Sequence, residues 1–329
     1  MLCSKTRSRL ALVVLALVMC TGLSRMVRAQ TYPDKSIRLI VPFAPGGPTD
    51  GMARLIANGL SASLGQAVVV ENMAGAGGTI GSATVARAPA DGYSLLFGST
   101  STLAIAPSTY SKLPYDPLRS FAPVGLAAIG SHVLYVDPKL PVNSVAELID
   151  YCKKNAGKIN YGSPGVGTPN HLAAELFKKI AGIDATHVPY RGGAQALTAV
   201  MAGEVQFAFD TISAVAPAGT SGKVRMLAIA ASKRSPLLPD LPTTIEAGLT
   251  GVEAASWNGI VAPSGTPPVI TERLNAEMQK VLREKEALAM LASLGLDPAY
   301  LSTQQFEQFI ADELKKWSRA ATEAGVKLD

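Results

Sequence analysis

Two segments of this chain have nearly the same pattern, and each could bind an anion. Residues 41–50 (VPFAPGGPTD) and residues 188–195 (VPYRGGAQ) run from an apolar, strand-like stretch through proline and an aromatic residue into Gly-Gly. A helical pattern follows each of them. The first N–H groups of a helix lack partners within it and lie at the positive end of its dipole, where an anion is stabilised. We therefore expect one anion-binding turn in each half of the chain.

Further glycine-rich and hydroxyl-rich turns follow other strand-like stretches. Residues 75–78 come after the stretch that ends at Asn72, and residues 99–102 come after Phe97. Residues 163–168 occupy the same place in the second half. Glycine permits positive φ and close approach of a ligand to the backbone, while Ser and Thr hydroxyls donate to carboxylates. Ser, Thr and Asp are also the commonest helix caps, so a purely structural role stays open at each turn.

Four polar or aromatic residues near these turns each have two interpretations. His171 lies in the first turn of a predicted helix and either completes that turn or contacts a ligand. Asp210 ends an apolar strand and either caps the next helix or contacts a ligand amine, hydroxyl or water. Arg191 either clamps a carboxylate or points to solvent. Trp257 fits core packing better than ligand stacking.

The chain lacks the residue patterns of several common chemistries. Neither glycine cluster is followed by the Lys-Ser/Thr of a phosphate loop, and residues 75–81 lack the later acidic residue of a dinucleotide site. The three His have no metal-ligand spacing, and no Gly-x-Ser-x-Gly elbow is present. We expect no catalysis, no cofactor and no metal, although a nucleophile and a base brought together in space stay open.

The first 29 residues have the pattern of a signal peptide. A basic start at residues 5–9 precedes an apolar run, residues 10–20, that is too short for a permanent membrane anchor. Small residues lie where a signal peptidase would cleave, so we expect export to the periplasm and cleavage near Ala29. A bulky methionine precedes Cys20, which disfavours lipid anchoring there.

Removal of this leader changes the charge balance. The full chain carries 30 Lys and Arg against 25 Asp and Glu. Five of the basic residues and none of the acidic ones lie in the leader, which leaves 25 of each sign. A formally neutral chain without a basic run gives no support to nucleic-acid binding. Cys152 is the single cysteine after the leader, so no internal disulfide is expected.

Strand-like and helical patterns alternate along the remaining chain, which indicates an α/β protein with mainly parallel sheets. Two long helices are predicted at the end, residues 267–294 and residues 303–324, the second opened by a capping pattern at residues 302–305. The predicted strands are residues 37–42, 67–71, 94–97, 132–136, 159–161, 186–189, 205–209, 224–230 and 259–262.

Turn-rich bridges at residues 114–123 and 235–242 divide the chain. If the segment between them forms its own lobe, the closing helices must return to the first lobe, and the chain crosses twice between the halves. We therefore predict a hinged cleft between a first lobe of residues 30–125 plus 251–329 and a second lobe of residues 126–250.

Six motifs taken together resemble the signature of the Bug-type receptors, the extracytoplasmic solute-binding proteins of tripartite tricarboxylate transporters. The resemblance implies a bilobal periplasmic-binding-protein fold, type II-like, with two mainly parallel sheets, helices on both faces and a cleft between the lobes. It also implies a monomer that binds a small carboxylate and delivers it to a two-component membrane permease. The motifs lie in order at residues 42–50, 70–78, 91–95, 161–168, 188–193 and 237–243.

By position, the resemblance assigns ligand contacts to the turns described above, and the residues themselves add His171. In such receptors, backbone N–H groups, hydroxyls and ordered waters hold the carboxylate rather than salt bridges. The predicted ligand-binding residues are Gly46, Gly47, Thr49, Asp50, Gly75, Ala76, Gly77, Gly78, Ser99, Thr100, Ser163, Thr168, His171, Tyr190, Gly192, Gly193, Ala194 and Asp210.

Two other functions stay open at this point. The same cleft would suit a sensing subunit that hands its liganded form to a signalling partner, and a secreted enzyme is a weaker third hypothesis. The expected ligand is an organic anion of unassigned type, among mono-, di- and tricarboxylates, aromatic acids and acidic amino acids.

Overall fold

The computed structural model describes residues 32–327, and the elements below all lie in the compact unit that begins at Lys35. The predicted signal peptide and its cleavage site at Ala29 lie outside the described residues. The strands are β1 Ile37–Val41, β2 Val68–Asn72, β3 Ser94–Ser99, β4 Phe121–Val136, β5 Asn160–Ser163, β6 Thr186–Pro189, β7 Phe207–Thr211, β8 Arg225–Ile229, β9 Ala255–Pro263 and β10 Asp297–Pro298.

Helices follow most of these strands, as the sequence predicts. A 3₁₀ turn, Ala76–Gly78, and a π-helical turn, Ser101–Ile105, add to them. The helices are α1 Pro48–Leu64, α2 Thr79–Ala86, α3 Ala106–Thr109, α4 Val145–Lys154, α5 Pro169–Ala181, α6 Gly193–Ala202, α7 Ile212–Thr220, α8 Pro268–Val281, α9 Lys285–Ser293 and α10 Thr303–Glu323.

The 16-residue strand β4 joins the two halves of one mixed sheet. In the first half, β1 pairs in parallel with β2 and β3, and β9 lies antiparallel between β3 and β4. In the second half, β5 pairs in parallel with β6 and β7. Strand β4 pairs with β9 over residues 121–131 and with β7 over residues 132–136. The outer strands are therefore parallel, as predicted, whereas the pairs made by β4 and β9 are antiparallel. These pairs join the two predicted sheets into one, so the prediction of two separate sheets is wrong.

Parallel pairing gathers the loops that follow the strands at one edge of each half. Val41 lies beside Asn72, and β3 runs parallel on the other side of β1, so the loops after all three strands leave from the same edge. Ser163 lies beside Pro189 in the second half, and β7 runs parallel to β5. In α/β sheets such carboxyl edges are the positions where ligands bind.

Aromatic side chains fill the interior where α10 packs on the sheet. Trp257 on β9 and Trp317 on α10 are both buried, and both indole N–H groups donate to the Glu313 carboxylate at 2.8 Å. Helix α10 begins after Ser302, whose hydroxyl accepts from the Gln305 N–H while the Gln305 side chain accepts in return. The predicted capping pattern is therefore confirmed.

Strand β4 is longer than the sequence predicts. Only residues 132–136 were expected to be extended, but the strand begins at Phe121, inside the predicted bridge. It also continues through the predicted lobe boundary at residue 125. Glycine and proline weaken strand patterns, and the pairing register with β9 shifts between Pro123 and Gly125. Backbone pairing along β9 compensates for the weak local preference, which a sequence pattern does not reveal.

The predicted helix over residues 267–294 is two helices, α8 and α9. The N–H groups of Arg283 and Glu284 donate to the carbonyls of Lys280 and Val281, and these tighter bonds end α8. No glycine or proline marks the break, so the periodicity gave no sign of it. Over residues 32–327, no helix combines the length and the apolar character that crossing a bilayer requires.

Candidate functional site

A cavity of about 300 Å³ lies between loops from the two carboxyl edges of the sheet. Its first-half lining comes from the loops after β1 and β2, the π-helical turn and the segment of α3. Its second-half lining comes from the loop after β5. The lining residues are Phe43, Gly77, Ser101, Ile105, Ala106, Thr109, Tyr110, Val166, Gly167 and Thr168.

The turn after β1 is fixed by Asp50. The N-cap of α1 is Gly47, and no side chain caps it. The Asp50 carboxylate instead accepts hydrogen bonds from the Gly46 N–H at 3.0 Å and from Asn72 Nδ2 at 2.9 Å. Arg54 Nε donates to the same carboxylate at 2.9 Å, and this bond is the main reason why the pKa of Asp50 falls to about 2. The Asp50 side chain therefore ties the turn to α1 and β2.

The turn after β2 has an unusual backbone. Residues 75–78 all have positive φ, with values of +136°, +45°, +63° and +93° in order. The second of them, Ala76, is not a glycine and is strained in this conformation. A Cβ at Gly77 would lie 2.9 Å from the hydroxyl of Tyr110. A side chain at this position would therefore have to displace the Tyr110 hydroxyl, besides adopting a positive φ.

The segment after β3 is anchored to two neighbours. The buried Thr100 hydroxyl accepts from the Trp257 N–H at 2.7 Å, which fixes the segment to β9. The Ser99 N–H donates to Thr102 Oγ1 at 3.0 Å. These bonds precede the π-helical turn, which places Ser101 on the cavity wall.

The loop after β5 is braced from within by hydroxyl groups. Ser163 Oγ lies 2.7 Å from His187 Nε2 and accepts from the Gly165 N–H at 3.1 Å. Thr168 Oγ1 donates to the carbonyl of Gly165 at 2.8 Å, and Thr168 is the N-cap of α5. The loop therefore presents a fixed shape to the cavity.

Two stacked imidazoles, those of His171 and His187, pack beside the loop after β5 and bond to it. The rings of His171 and His187 have centroids 3.9 Å apart. His171 Nδ1 accepts from the Gly167 N–H at 3.2 Å, which requires an unprotonated Nδ1. Burial and, secondarily, His187 lower the pKa of His171 to about 4, so its ring is neutral at pH 7. His171 is thus a support of the loop.

The loop after β6 reaches the start of α6. The Tyr190 N–H donates to the carbonyl of Ser163 at 2.9 Å, which holds this loop beside the preceding one. Gly192 is the N-cap of α6, with φ of +110°. Burial and, secondarily, the negative charge of Glu204, beyond the far end of α6, raise the pKa of Tyr190. The Arg191 side chain is exposed.

Asp210, at the end of β7, lies against the same helix start. A Cβ on Gly193 would be 2.6 Å from Asp210 Oδ2, and the Thr211 N–H donates to Oδ1 at 2.8 Å. Burial raises the pKa of Asp210. Thr211 rather than Asp210 is the N-cap of α7. The Asp210 side chain therefore occupies the space beside the start of α6.

Comparison with known proteins identifies the family. The family model described as the tripartite tricarboxylate transporter family receptor matches residues 52–326. The chain belongs to this receptor family. Protein BugT of Bordetella pertussis is 38% identical over 98% of this chain and 99% of its own length. A protein from the tcbD-tcbE intergenic region of a Pseudomonas species is 37% identical, with 96% and 94% covered. The Bug-type resemblance is confirmed.

Solved structures of related receptors agree with this assignment. An R. palustris protein solved with adipate is 38% identical, with a TM-score of 0.75 over 90% of this chain and 99% of that one. MatC from Rhodopseudomonas palustris with bound malate is 34% identical, with a TM-score of 0.71 and coverage of 88% and 99%. The family to which the chain belongs is one of receptors rather than enzymes. The predicted α/β periplasmic-binding-protein fold is confirmed.

Within this receptor, the cavity unites two predicted ligand-binding residues from opposite halves, Gly77 and Thr168. The others do not line it, and they occupy turns, strand ends and helix starts at the two carboxyl edges. These are Gly46, Gly47, Thr49, Asp50, Gly75, Ala76, Gly78, Ser99, Thr100, Ser163, His171, Tyr190, Gly192, Gly193, Ala194 and Asp210.

Some of the side chains predicted to contact the ligand form hydrogen bonds within the receptor. Asp50, Thr100 and His171 each bond a neighbouring backbone N–H and so hold a loop in place. Among the described residues, no group of three or more His, Cys, Asp or Glu side chains is arranged to hold a metal ion.

Eight lining residues are not among those predicted from the sequence. Four of them lie inside or beside the quoted turns, so their motifs could have suggested them. The other four lie on the π-helical turn and α3, and no sequence pattern indicated that this segment would reach the cavity. The missed residues are Phe43, Ser101, Val166 and Gly167 in the first group, and Ile105, Ala106, Thr109 and Tyr110 in the second.

Replacing Asp50 by asparagine should destabilise the receptor by about 1–3 kcal/mol at pH 7, because a charged acceptor for three donors is lost. The folded pKa of about 2 lies below the ordinary 3.8, so this stabilisation is complete above about pH 4 and is lost as the pH falls through 2. Urea unfolding of both proteins at pH 7, 4 and 2.5 would measure it. A stability difference that stays constant down to pH 2.5 would contradict the assignment.

Proposed function

We propose that this chain is an extracytoplasmic solute-binding receptor that captures a small carboxylate or related organic anion between two lobes. The observation that carries the proposal is the cavity, because Phe43 and Gly77 from one carboxyl edge share it with Val166 and Thr168 from the other. Membership of the receptor family supports it. The adipate and malate in two related structures support a carboxylate as the ligand class.

Hydrogen bonds supply a large part of the energy needed to bind such a ligand, and burial of its remaining surface supplies the rest. Each bond to a charged group contributes about 1.5–3 kcal/mol, so three or four bonds to one carboxylate contribute roughly 5–10 kcal/mol before ordering costs. Micromolar binding corresponds to about −8 kcal/mol. An arginine clamp is therefore not required, which fits a cavity whose described lining carries no charged side chain.

The proposed lobes are residues 30–125 plus 251–329 and residues 126–250. Strand β4 crosses between them, and its partner changes from β9 to β7 between residues 131 and 132, which supports a hinge six residues beyond the boundary predicted at residue 125. A ligand that contacts both lobes favours the closed state, since the open state lacks half of the contacts. Closure would then report occupancy to a membrane permease of the tripartite tricarboxylate type, to which the receptor delivers its ligand.

Export completes the proposal. The leader pattern of residues 1–29 and the periplasmic location of the related binding proteins support a periplasmic receptor cleaved near Ala29. Amino-terminal sequencing of the protein from a periplasmic extract should give a chain that begins at or close to Gln30. A chain that retains the leader in the cytoplasm would contradict export.

Ligand binding is tested by thermal unfolding with a panel of acids. The panel contains mono-, di- and tricarboxylates, aromatic acids and acidic amino acids. A ligand at one hundred times its dissociation constant adds about 2.7 kcal/mol, which raises the midpoint by about 5 °C in a protein of this size. Calorimetry then gives the affinity of each hit. Stabilisation by none of these acids would contradict the receptor proposal.

Delivery is tested separately with membranes. Liganded and ligand-free protein are each passed over detergent-solubilised membranes of the source organism, and retained proteins are identified by mass spectrometry. Recovery of a two-component permease in the liganded sample supports transport. Recovery of a membrane kinase instead would favour the sensing hypothesis and contradict delivery.

A further inference from the structure

The cavity offers mostly apolar side chains to whatever it binds. Phe43 lies in the loop after β1, Ile105 and Tyr110 flank the short helix α3, and Val166 lies in the loop after β5. None of the ten described lining residues carries a charged side chain. Val166 is 47% exposed on this loop. An apolar ligand group would bury this surface.

Several polar groups of the lining are already used by the chain. The Thr168 hydroxyl bonds Gly165 and the His171 N–H, and the Gly167 N–H donates to His171. The Thr109 hydroxyl donates to the carbonyl of Ile105 at 3.2 Å. On the second-half wall, the Thr168 hydroxyl and the Gly167 N–H therefore already have partners. What this wall offers to a ligand is mainly the carbon atoms of Val166 and Thr168.

Positive charge is also committed elsewhere. Arg54 bonds Asp50 and Asn72, and the exposed Arg191 does not line the cavity. In the second half, Asp210 adds a carboxylate beside the start of α6. A second or third ligand carboxylate would need its own set of free hydrogen-bond donors, and on the second-half wall the Thr168 hydroxyl and the Gly167 N–H already have partners, so its loss of water would be costly.

From this lining we infer that the ligand is an organic acid with one carboxylate and an apolar aliphatic or aromatic body. The body lies between Phe43, Ile105 and Tyr110 on one side and Val166 on the other. The carboxylate lies at the backbone of the turn that contains Gly77, where the Ser101 and Tyr110 hydroxyls can donate hydrogen bonds to it. This inference rests on the proposed function and narrows its ligand class.

The test is calorimetry with acetate, butanoate, hexanoate, adipate and citrate. Each buried methylene should tighten binding about fourfold, so hexanoate should bind roughly two hundred times more tightly than acetate if all four added methylenes are buried. Hexanoate should also bind at least tenfold more tightly than adipate, which has the same length and a second carboxylate. Tighter binding of adipate or citrate than of hexanoate would overturn the inference while leaving the receptor proposal intact. Binding of no acid at all would sink the receptor proposal itself.

A matched pair of variants locates the apolar contact. Val166→Ser should weaken hexanoate binding about tenfold and leave acetate binding unchanged, because only the longer acid reaches this side chain. Val69→Ser is the control, since Val69 has the same 47% exposure on β2 and lies outside the cavity lining. Urea midpoints confirm that both variants are folded. An equal loss for acetate and hexanoate, or an equal effect of both variants, would contradict the inference.

Discussion

Replacing Gly78 by alanine should remove most ligand binding and destabilise the fold by about 2–5 kcal/mol. Gly78 has φ of +93°, which costs a residue with a Cβ about 1–2 kcal/mol. The added Cβ would also lie 2.7 Å from Thr102 Cγ2 and 3.3 Å from the carbonyl oxygen of Pro42. Overpacking of this kind adds about 1–3 kcal/mol.

Neither neighbour of Gly78 can easily move away. Thr102 is fully buried, and its hydroxyl accepts from the Ser99 N–H at 3.0 Å. The Thr102 carbonyl also accepts from the Tyr115 hydroxyl at 2.8 Å. The turn itself must therefore shift, and Gly77 and Ser101 shift with it. Because both line the cavity, we expect at least a tenfold loss of affinity for any acid that the receptor binds.

Gly248 supplies the matched control for this experiment. Its φ of +86° is close to that of Gly78, but nothing lies within 4 Å of an added Cβ. Gly248→Ala should therefore cost only the conformational part, about 1–2 kcal/mol, and leave affinity unchanged. Urea unfolding and calorimetry on both variants measure the two quantities. Equal effects of the two substitutions on affinity would show that the packing around Gly78 does not shape the cavity.

The sequence predicted the turns better than the roles of their side chains. Gly-Gly segments after apolar strands predicted the loops around Gly46, Gly77 and Gly192. Such a prediction needs only local sequence, because glycine is selected there by the positive φ of its own backbone. The partners of Asp50 and Thr100 lie 22 and 157 residues away in the chain, at Asn72 and Trp257. Local patterns contain no information on these two distant partners, and a ligand contact of Asp50 or Thr100 stays a prediction.

The apolar wall of the cavity also could not be predicted from local sequence patterns. Residues 101–105 form a π-helical turn, a shape that is rare in proteins and has no composition signal of its own. It is this turn, followed by α3, that brings Ile105 and Tyr110 to face Val166. The family resemblance indicated a carboxylate site, and the packing of this segment supports the proposal that the ligand also has an apolar body.

Replacing Glu313 by alanine should destabilise the receptor by about 3–5 kcal/mol. The Glu313 carboxylate accepts from the indole N–H groups of Trp257 and Trp317, each at 2.8 Å, and pairs with Lys316. Both indoles are buried, so alanine leaves two donors without an acceptor, and each costs about 1–3 kcal/mol. The loss of a largely buried charge with its partners has a similar magnitude.

The effect of this substitution should extend to the cavity. The backbone N–H of Trp257 donates to the hydroxyl of Thr100, the residue immediately before the π-helical turn. Disorder at Trp257 therefore loosens the part of the cavity wall that contains Ser101. We therefore expect weaker ligand binding together with lower stability. Glu313→Gln keeps an acceptor oxygen and should cost less than Glu313→Ala in both measurements.

Glu307 provides the control on the same helix. It is exposed on α10, and Glu307→Ala should change the free energy of unfolding by less than about 0.5 kcal/mol. Urea unfolding followed by tryptophan fluorescence gives the three free energies, and calorimetry gives the affinities. If Glu313→Ala unfolds at the same urea concentration as Glu307→Ala, the two indoles do not depend on this carboxylate. The link from α10 through β9 to the cavity would then be wrong.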